Sequence, residues 1–538
     1  MYQPYPYQLG DFSPTRQLAL PSGFVNQARL FLRRGKGSDS TLFEIFKIYH
    51  DDDLAEIIPE MIDEPFRAMP IDTREKERRL NKLLPMALRN EKKKTAELLL
   101  RRGADPNLAD ENGSTPLHII CERTEYDNSL MELFFEINDE KNQLVQIDVR
   151  DRCGKTPLYL TQEGGNIKAF ELLLRRGANP NMTFDKGFTL LHKICDEFFS
   201  NITIWGDKIK ILEMLFKIDD QRHSRVQVDA RDESGNTPLH YALKRGIEEV
   251  TQLLLRNGAN PNSANDNRET PLHVICKGIV HFRYYDMADI FFKTCDENHL
   301  QVEVDAVDNL GRTPLQLAVA NLLPDAVDVL LDRGADVSRF AFPTDSYYGV
   351  GFDPQEKYLF GMKLTMASGA MAVLNSLEDR GYELDQSVAV KVMKFFVKHG
   401  LFEKSPAIQK WLIGEESAKF LKKKMIKPDL SLYDLVQLRP VEAAKQLTYR
   451  DYIKFGRENQ FCLLPGEELS TNCASHLGEK ISRGFFRAWA IKSFMELTKC
   501  RLLLECSEMI IDRSGTNKDL LNICLAAVDQ SSSTSENT

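Results

Sequence analysis

The sequence lacks the segments that mark membrane and secreted proteins. No apolar run approaches the length of a membrane span. The first residues have no basic start followed by an apolar core, so we expect no secretory signal. The ten cysteines form no C-x-x-C motif, which predicts free thiols in a reduced, intracellular protein. We expect it in the cytoplasm, with the nucleus as the alternative.

Signals for nucleic-acid binding, metal binding and catalysis are missing as well. The formal net charge of -9 argues against a general nucleic-acid binder, which needs a clustered basic surface. No glycine-rich phosphate loop, dinucleotide fingerprint, Ser-His-Asp or Cys-His spacing occurs. We therefore expect a non-catalytic, monomeric protein without cofactor or metal. The alternative is an unrecognised enzyme in the C-terminal region.

What the chain does contain is a recurring unit of about 33 residues. Its best copy runs from Asp232 to Asn262. Thr237-Pro238 opens a first helix, and Gly258 ends a second one. Because one helix pair cannot bury its apolar faces alone, copies must stack on both sides. Starts of this kind occur at Thr115, Thr156, Thr189, Thr237, Thr270 and Thr313.

Short and long units alternate. Successive threonines are 41, 33, 48, 33 and 43 residues apart. The long units share His-x-Ile-Cys and an insertion, and they end in a Val/Ile-Asp-Ala/Val segment where short units have Gly-Ala-Asp/Asn-Pro-Asn. The period is therefore a two-unit block, with longer helices and projecting insertions expected in the long units.

These units resemble the ankyrin repeat, whose mark is T-P-L-H-x-A. The resemblance implies an all-α solenoid of about seven repeats that binds other proteins, with a divergent first repeat at about 83–107. In that family the Thr and His bind backbone groups that join neighbouring turns. We therefore interpret the TPLH-type histidines as structural, because none has a second metal ligand three or four residues away; they are His118, His192, His240 and His273.

Two sets of residues are candidates for contact with a partner. Residues at turn tips often contact partners in solenoids; here they are Glu111, Asn112, Arg152, Lys186, Glu233, Asn267, Arg268 and Asn309. The insertions of the long units are aromatic, as interface hot spots are, and contain Tyr126, Phe198, Phe199, Trp205, Phe282, Tyr284 and Tyr285. The alternative is that these aromatics pack against each other. The charged stretch 73–94 is interpreted as a solvated helix face.

The repeat pattern stops at about residue 341, and helical segments of varied length follow. The segment from Leu502 to Leu520 resembles the degenerate F-box of the PRANC region, which follows ankyrin repeats in poxvirus and parasitoid-wasp proteins. The matching positions are Leu502, Glu505, Ile510, Ile511, Asp519 and Leu520. Residues 431–436 also resemble the opening segment of that region.

The match has departures. Leu503 replaces the proline that starts the F-box helix, Cys506 replaces an isoleucine, and Ser514-Gly515 stands where a leucine is usual. Residues 464–467 offer a better Leu-Pro-x-Glu start, but the Ile-Leu pair is missing after it.

The resemblance implies an adaptor that holds a substrate on its ankyrin repeats and docks on Skp1 of a cullin-1 ubiquitin ligase. The alternatives are a scaffold or sequestering protein without ligase coupling, with Leu502 to Leu520 as a core helix. The predicted organisation is an N-terminal segment and helical cap (1–80), ankyrin repeats (81–340), a linker (341–362), a helical domain (363–528) and a disordered tail (529–538).

Overall fold

The structure, a computed structural model of the chain, describes residues 46–47, 50–63, 73–122, 128–196, 205–217, 225–278, 287–349, 352, 360–402, 414–457, 467–513 and 515–535. Across these ranges the fold is all-α apart from one small hairpin, as predicted. Two compact units make up the chain: residues 1–185 with 201–226, and residues 186–200 with 227–538. Each unit is described by itself.

In the described ranges, six helix pairs that each lie within one unit correspond to expected repeats. In five of these pairs the first helix opens on a threonine in extended conformation followed by proline, as at Thr237-Pro238, where proline lacks no needed hydrogen bond. In the first unit the pairs are α2 Thr73–Arg89 and α3 Lys93–Arg101, α4 Pro116–Cys121 and α5 Ser129–Glu140, and α6 Pro157–Glu163 and α7 Ile167–Arg175. In the second unit they are α10 Pro238–Arg245 and α11 Glu248–Arg256, α12 Pro271–Cys276 and α13 Met287–Glu297, and α14 Pro314–Ala320 and α15 Pro324–Asp332. The second unit also contains α8 Leu190–Asp196, and the first contains α9 Trp205–Lys217.

Helix α1, Asp51–Asp63, covers the first pair within the first unit. The Asp51 carboxylate accepts hydrogen bonds from the backbone N–H groups of Lys94 (2.6 Å) and Thr95 (3.0 Å), at the start of α3. Those N–H groups have no partner inside their own helix, so Asp51 satisfies them. The charged stretch 73–94 contains the whole of α2 and the start of α3, and α2 buries Leu80, Leu84 and Leu88 on its inner face.

Side-chain hydrogen bonds join neighbouring short and long repeats. In the first unit, Asn107 at the end of a short repeat donates to the Leu144 carbonyl of the next long repeat (2.7 Å). In the second unit, the Asn262 side chain donates to the Gln301 carbonyl and accepts from the Glu303 N–H group, each at 2.8 Å. The Asp of each long-repeat ending binds forward to the N–H group of the next Gly-Ala-Asp/Asn segment, as Asp148 does to Asn179 (2.9 Å).

In the second unit the last repeat and the C-terminal helices share one hydrophobic core. Leu322, in the turn after α14, packs in the same cluster as Tyr348 and the buried residues of the later helices. These elements are α16 Phe360–Asp379, α17 Gln386–Lys398, α18 Glu415–Lys423, β1 Met425–Lys427, β2 Leu430–Ser431, α19 Leu432–Gln437, α20 Pro440–Gln446, α21 Tyr449–Arg457, α22 Glu467–Leu497, α23 Leu504–Asp512 and α24 Asn517–Ser535.

Three features differ from the sequence-based expectations. Residues 341–349 of the predicted linker contribute Phe342 and the buried Tyr348 to the shared core, because aromatic side chains there have apolar surface to bury. Helix α24 continues to Ser535, within the predicted tail, because no glycine or proline stops it. The antiparallel hairpin β1–β2 was not foreseen.

The cysteines of the described residues are free thiols. Cys121, Cys195 and Cys276 occupy the same buried place in the three long repeats. Burial raises their pKa, so they act as small apolar side chains.

Candidate protein-binding surfaces

At the turn tips, an aspartate or asparagine side chain accepts hydrogen bonds from backbone N–H groups of the same tip. In the second unit, Asp232 Oδ1 accepts from the N–H groups of Ser234 and Asn236, each at 2.8 Å. Asn265 and Asp308 bind the corresponding N–H groups of the next two tips. Asp110 does the same in the first unit. These side chains are used internally, so the neighbouring tip residues are left to face solvent.

The predicted tip residues are all exposed; they are Glu111, Asn112, Arg152, Lys186, Glu233, Asn267, Arg268 and Asn309. Their backbones connect successive tips, as the Arg152 N–H group does to the Asn112 carbonyl (2.9 Å) in the first unit. In the second unit Glu233 binds Lys186, and Asn309 binds Asn267. The side chain of Asn309 also donates to the Asp266 carbonyl (2.9 Å). Asn309 is therefore partly committed to the fold.

The TPLH-type histidines have the structural role that the sequence indicated. In the second unit Nδ1 of His273 accepts from the Thr270 N–H group (3.1 Å), and Nε2 lies 3.0 Å from the Arg312 carbonyl of the next repeat. His192 and His240 make the same bridge, and His118 makes it in the first unit. Each ring is buried, and both of its nitrogens are occupied by these hydrogen bonds.

A groove of about 550 Å³ lies between the Thr237 and Thr270 repeats of the second unit. Tyr241 and Val274, both half-buried, lie on its two first helices. One wall carries turn-tip residues with polar side chains: Ser234, Asn236, Asn265, Asn267 and Glu269. The other carries three cations from the ends of α10 and α12: Lys244, Arg245 and Lys277. Its volume is typical of a ligand-binding pocket.

Most charges of this groove are already paired. Arg245 binds the Asp196 carboxylate (Nη2–Oδ1 2.7 Å), and Lys277 forms an ion pair with Glu269. Tyr241 donates to Asp232 (2.7 Å), and burial raises the pKa of Tyr241, so it stays protonated. Lys244 is exposed and has no ion-pair partner in the described ranges. The groove therefore presents one unpaired positive charge.

Of the groove residues, sequence reasoning named only Asn267 as a candidate for partner contact. A signal was present for the others, since Tyr241, Lys244 and Arg245 are the polar positions that follow TPLH on one first helix. Helical spacing places such residues away from Leu239 and Leu243, which are buried.

A second candidate surface is the outer face of α23. Leu503 (70% exposed), Met509 (61%) and Ile510 (45%) are apolar and open to solvent, with Leu502 and Leu504 beside them. Cys506 is exposed on the same helix, and so is Glu505. Ser507 and Ile511 hold the opposite face in the core. Ion pairs from Arg487 to Asp512 (2.6 Å) and Glu508 (3.9 Å) fix the helix to α22.

Three of the proposed Skp1-docking residues have structural roles instead. Ile511 and Leu520 are fully buried in the core of the second unit, so no partner can reach them. Asp519 is exposed, but its carboxylate accepts from the Thr516 N–H (2.7 Å) and hydroxyl (2.9 Å), which caps α24. Leu502, Glu505 and Ile510 remain available.

The predicted insertion aromatics fall largely outside the described residues. These are Tyr126, Phe198, Phe199, Phe282, Tyr284 and Tyr285, together with the alternative F-box start at 464–466. Trp205 is the first residue of α9, but its side chain is not among those described.

In the described ranges no three His, Cys, Asp or Glu side chains are placed to hold a metal ion. No described helix has the length and apolar character that crossing a membrane requires.

Comparison with known proteins identifies the repeats. The family model "Ankyrin repeats (3 copies)" matches residues 84–184 and 202–300, and "Ankyrin repeat" matches residues 310–339. The chain is 26% identical over 296 residues to transient receptor potential cation channel subfamily A member 1 of Homo sapiens, which covers 48% of this chain and 24% of that protein. It is 28% identical over 252 residues to Rabankyrin-5 of Homo sapiens, and this alignment covers 45% of this chain and 19% of that protein.

The ankyrin repeat domain of Bcl-3 aligns with a TM-score of 0.33 and 19% identity, over 46% of this chain and 92% of that structure. The chain spans a quarter or less of the two relatives named above. Residues 84–184, 202–300 and 310–339 of this chain are ankyrin repeats, which suggest a role in protein interaction.

Proposed function

We propose that the protein is an adaptor that recruits a substrate through its ankyrin repeats and docks on the Skp1 subunit of a cullin-1 ubiquitin ligase through α23. The exposed apolar face of α23 is the observation that carries the ligase half of this proposal. A soluble domain rarely leaves several large apolar side chains of one helix in water unless a partner covers them.

The backbone of the F-box-like segment supports the same proposal. Leu503 stands where the F-box pattern has proline, and its φ of −63° and ψ of 149° are angles that proline adopts. The replacement therefore keeps the helix start and adds an exposed apolar side chain. Cys506, the second departure, is exposed on α23, so it costs no buried apolar area in this fold.

The adaptor would position the substrate and would not itself catalyse a reaction. Arg487 holds α23 against α22, and the core that contains α22 continues into the last repeat through Leu322. A substrate held on the repeats of the second unit would thus be kept at a fixed distance from the ligase, which raises its effective concentration there.

The test is capture of purified Skp1 by the full chain, because the C-terminal helices share their core with the last repeat. The variant Leu503→Asp/Met509→Asp changes two exposed residues and is expected to lose capture while keeping the wild-type melting temperature. Val441→Asp is the control, since Val441 is 69% exposed on a different helix, α20. Equal capture by all three chains, or no capture by the folded wild type, would leave an ankyrin scaffold without ligase coupling.

A further inference from the structure

We propose that the groove between the Thr237 and Thr270 repeats binds an extended, acidic peptide segment of the protein partner, with a carboxylate of that segment against Lys244. The inference rests on the repeat half of the proposed function, protein binding, and is independent of ligase docking.

The charge of the groove selects the sign of the ligand. Arg245 and Lys277 are neutralised by Asp196 and Glu269, so neither demands an outside partner. Lys244 lies on the same wall, is exposed and has no ion-pair partner in the described ranges. An acidic side chain would pair with it, whereas a basic side chain would meet a third cation. Such complementarity governs specificity and association rate.

The opposite wall is suited to a peptide backbone. The Asn267 amide and the Ser234 hydroxyl are exposed, and neither side chain has a hydrogen-bond partner in the described ranges. An asparagine amide both donates and accepts, so it can pair with the C=O and N–H groups of an extended chain. These groups would provide affinity that does not depend on the peptide's side chains.

Tyr241 gives the groove a fixed apolar surface between the two walls. Its hydroxyl is anchored by Asp232, and its ring lies 5.9 Å from the His192 ring and 5.1 Å from the Phe188 ring, centroid to centroid. A side chain held in this way loses little conformational freedom on binding, which favours affinity. An apolar residue of the peptide would pack on this ring beside the acidic one.

Selection of a phage-displayed library of random peptides on the full-length protein tests the proposal. Enriched peptides are expected to contain Asp or Glu beside an apolar residue, and their dissociation constants are then measured by fluorescence anisotropy. Lys244→Glu should weaken binding by about tenfold or more. The control Lys293→Glu makes the same charge change on an exposed lysine of α13, outside the groove, and should bind like wild type.

Peptides without acidic residues, equal binding by Lys244→Glu and wild type, or a failure to enrich any peptide would each overturn the inference. The ligase half is read separately, because Lys244→Glu should capture Skp1 like wild type. Loss of Skp1 capture by Leu503→Asp/Met509→Asp with unchanged peptide binding would show that the two surfaces act independently, as proposed.

Discussion

Nε2 of His240 lies 3.0 Å from the carbonyl oxygen of Glu269, the residue before the threonine of the next repeat. Nδ1 of the same ring accepts from the Thr237 N–H group (3.1 Å). A ring that accepts at Nδ1 and donates at Nε2 is neutral, because protonation would place a second hydrogen against the Thr237 donor. Burial lowers the pKa of this histidine and of its counterparts His118, His192 and His273.

Acid is therefore expected to destabilise the repeats. The folded pKa of each histidine lies below the ordinary value of about 6.5. Each one therefore contributes fully to folding stability above about pH 6.5, and this contribution is lost as the pH falls through the folded pKa. Urea unfolding followed by circular dichroism should give a lower midpoint at about pH 5 than at about pH 7.5.

The chain itself contains the control for this pH effect. In the last repeat Gln316 replaces histidine and keeps both bonds, accepting from the Thr313 N–H group and donating to the Ala341 carbonyl, each at 3.0 Å. Replacing His192, His240 and His273 together by glutamine should reduce the shift in midpoint between the two pH values. A shift as large as that of the wild type would contradict the assignment to these rings.

Asn262→Ala should destabilise the second unit by about 1–2 kcal/mol, because two bridging hydrogen bonds to the next repeat are lost. Asn267→Ala is the matched control, since that side chain makes no hydrogen bond in the described ranges and its loss should cost less than about 0.5 kcal/mol. Chemical denaturation of both variants measures the difference. Equal costs would show that the short-to-long bridge adds nothing to the stack.

The repeats and their alternation were predictable because the same residues recur at the helix starts and endings of successive repeats. Thr237-Pro238 starts a helix wherever such a pair stands, and Asn262 and Asp229 occupy fixed places in their endings. The groove was not predicted, because it depends on which neighbouring side chains neutralise each other. Lys244 and Lys277 are equivalent in sequence terms, and only Lys277 meets a glutamate.

The C-terminal helices were predicted as segments, but their faces were not. Ile510 and Ile511 are adjacent and chemically identical, yet Ile510 is 45% exposed and Ile511 is fully buried. The packing partner of a helix decides this, and a lone amphipathic pattern over nine residues does not reveal it. Leu503 was interpreted as a weakness of the F-box pattern, whereas its backbone angles preserve the proline geometry.

Gly456→Ala should destabilise the second unit by about 1–3 kcal/mol, because α16 and α21 cross at two glycines. An added Cβ at Gly456 would stand 2.8 Å from the Gly361 carbonyl oxygen and 2.8 Å from the Thr365 hydroxyl. Gly484→Ala is the control: the glycine lies within α22 with nothing within 4 Å of the added Cβ. That change should stabilise by up to about 1 kcal/mol through helix propensity. A neutral Gly456→Ala would mean that the crossing can open without cost.

Lys480 closes the C-terminal end of α19 from inside the core. Its ammonium donates to the carbonyl groups of Leu435, Val436 and Leu438, while the residue is only 8% exposed. Lys480→Met keeps the apolar stem but removes every donor, which leaves carbonyl groups short of partners. We expect a loss of about 2–4 kcal/mol in the free energy of unfolding at neutral pH.

The pH dependence of that loss in free energy distinguishes the contribution of the ionisable ammonium from the contribution of side-chain packing. Desolvation lowers the pKa of Lys480 to about 8, although Glu442 opposes the shift. Between about pH 8 and the ordinary lysine pKa of about 10.4, the unfolded chain binds more protons than the folded one, so the lysine term in folding stability rises with pH. The stability difference between wild type and Lys480→Met should therefore widen from about pH 7 to about pH 9.5, by on the order of 1 kcal/mol. A constant difference, measured by urea unfolding at both pH values, would show that Lys480 keeps its ordinary pKa, and a shrinking difference would show that its pKa is raised; either result contradicts the prediction.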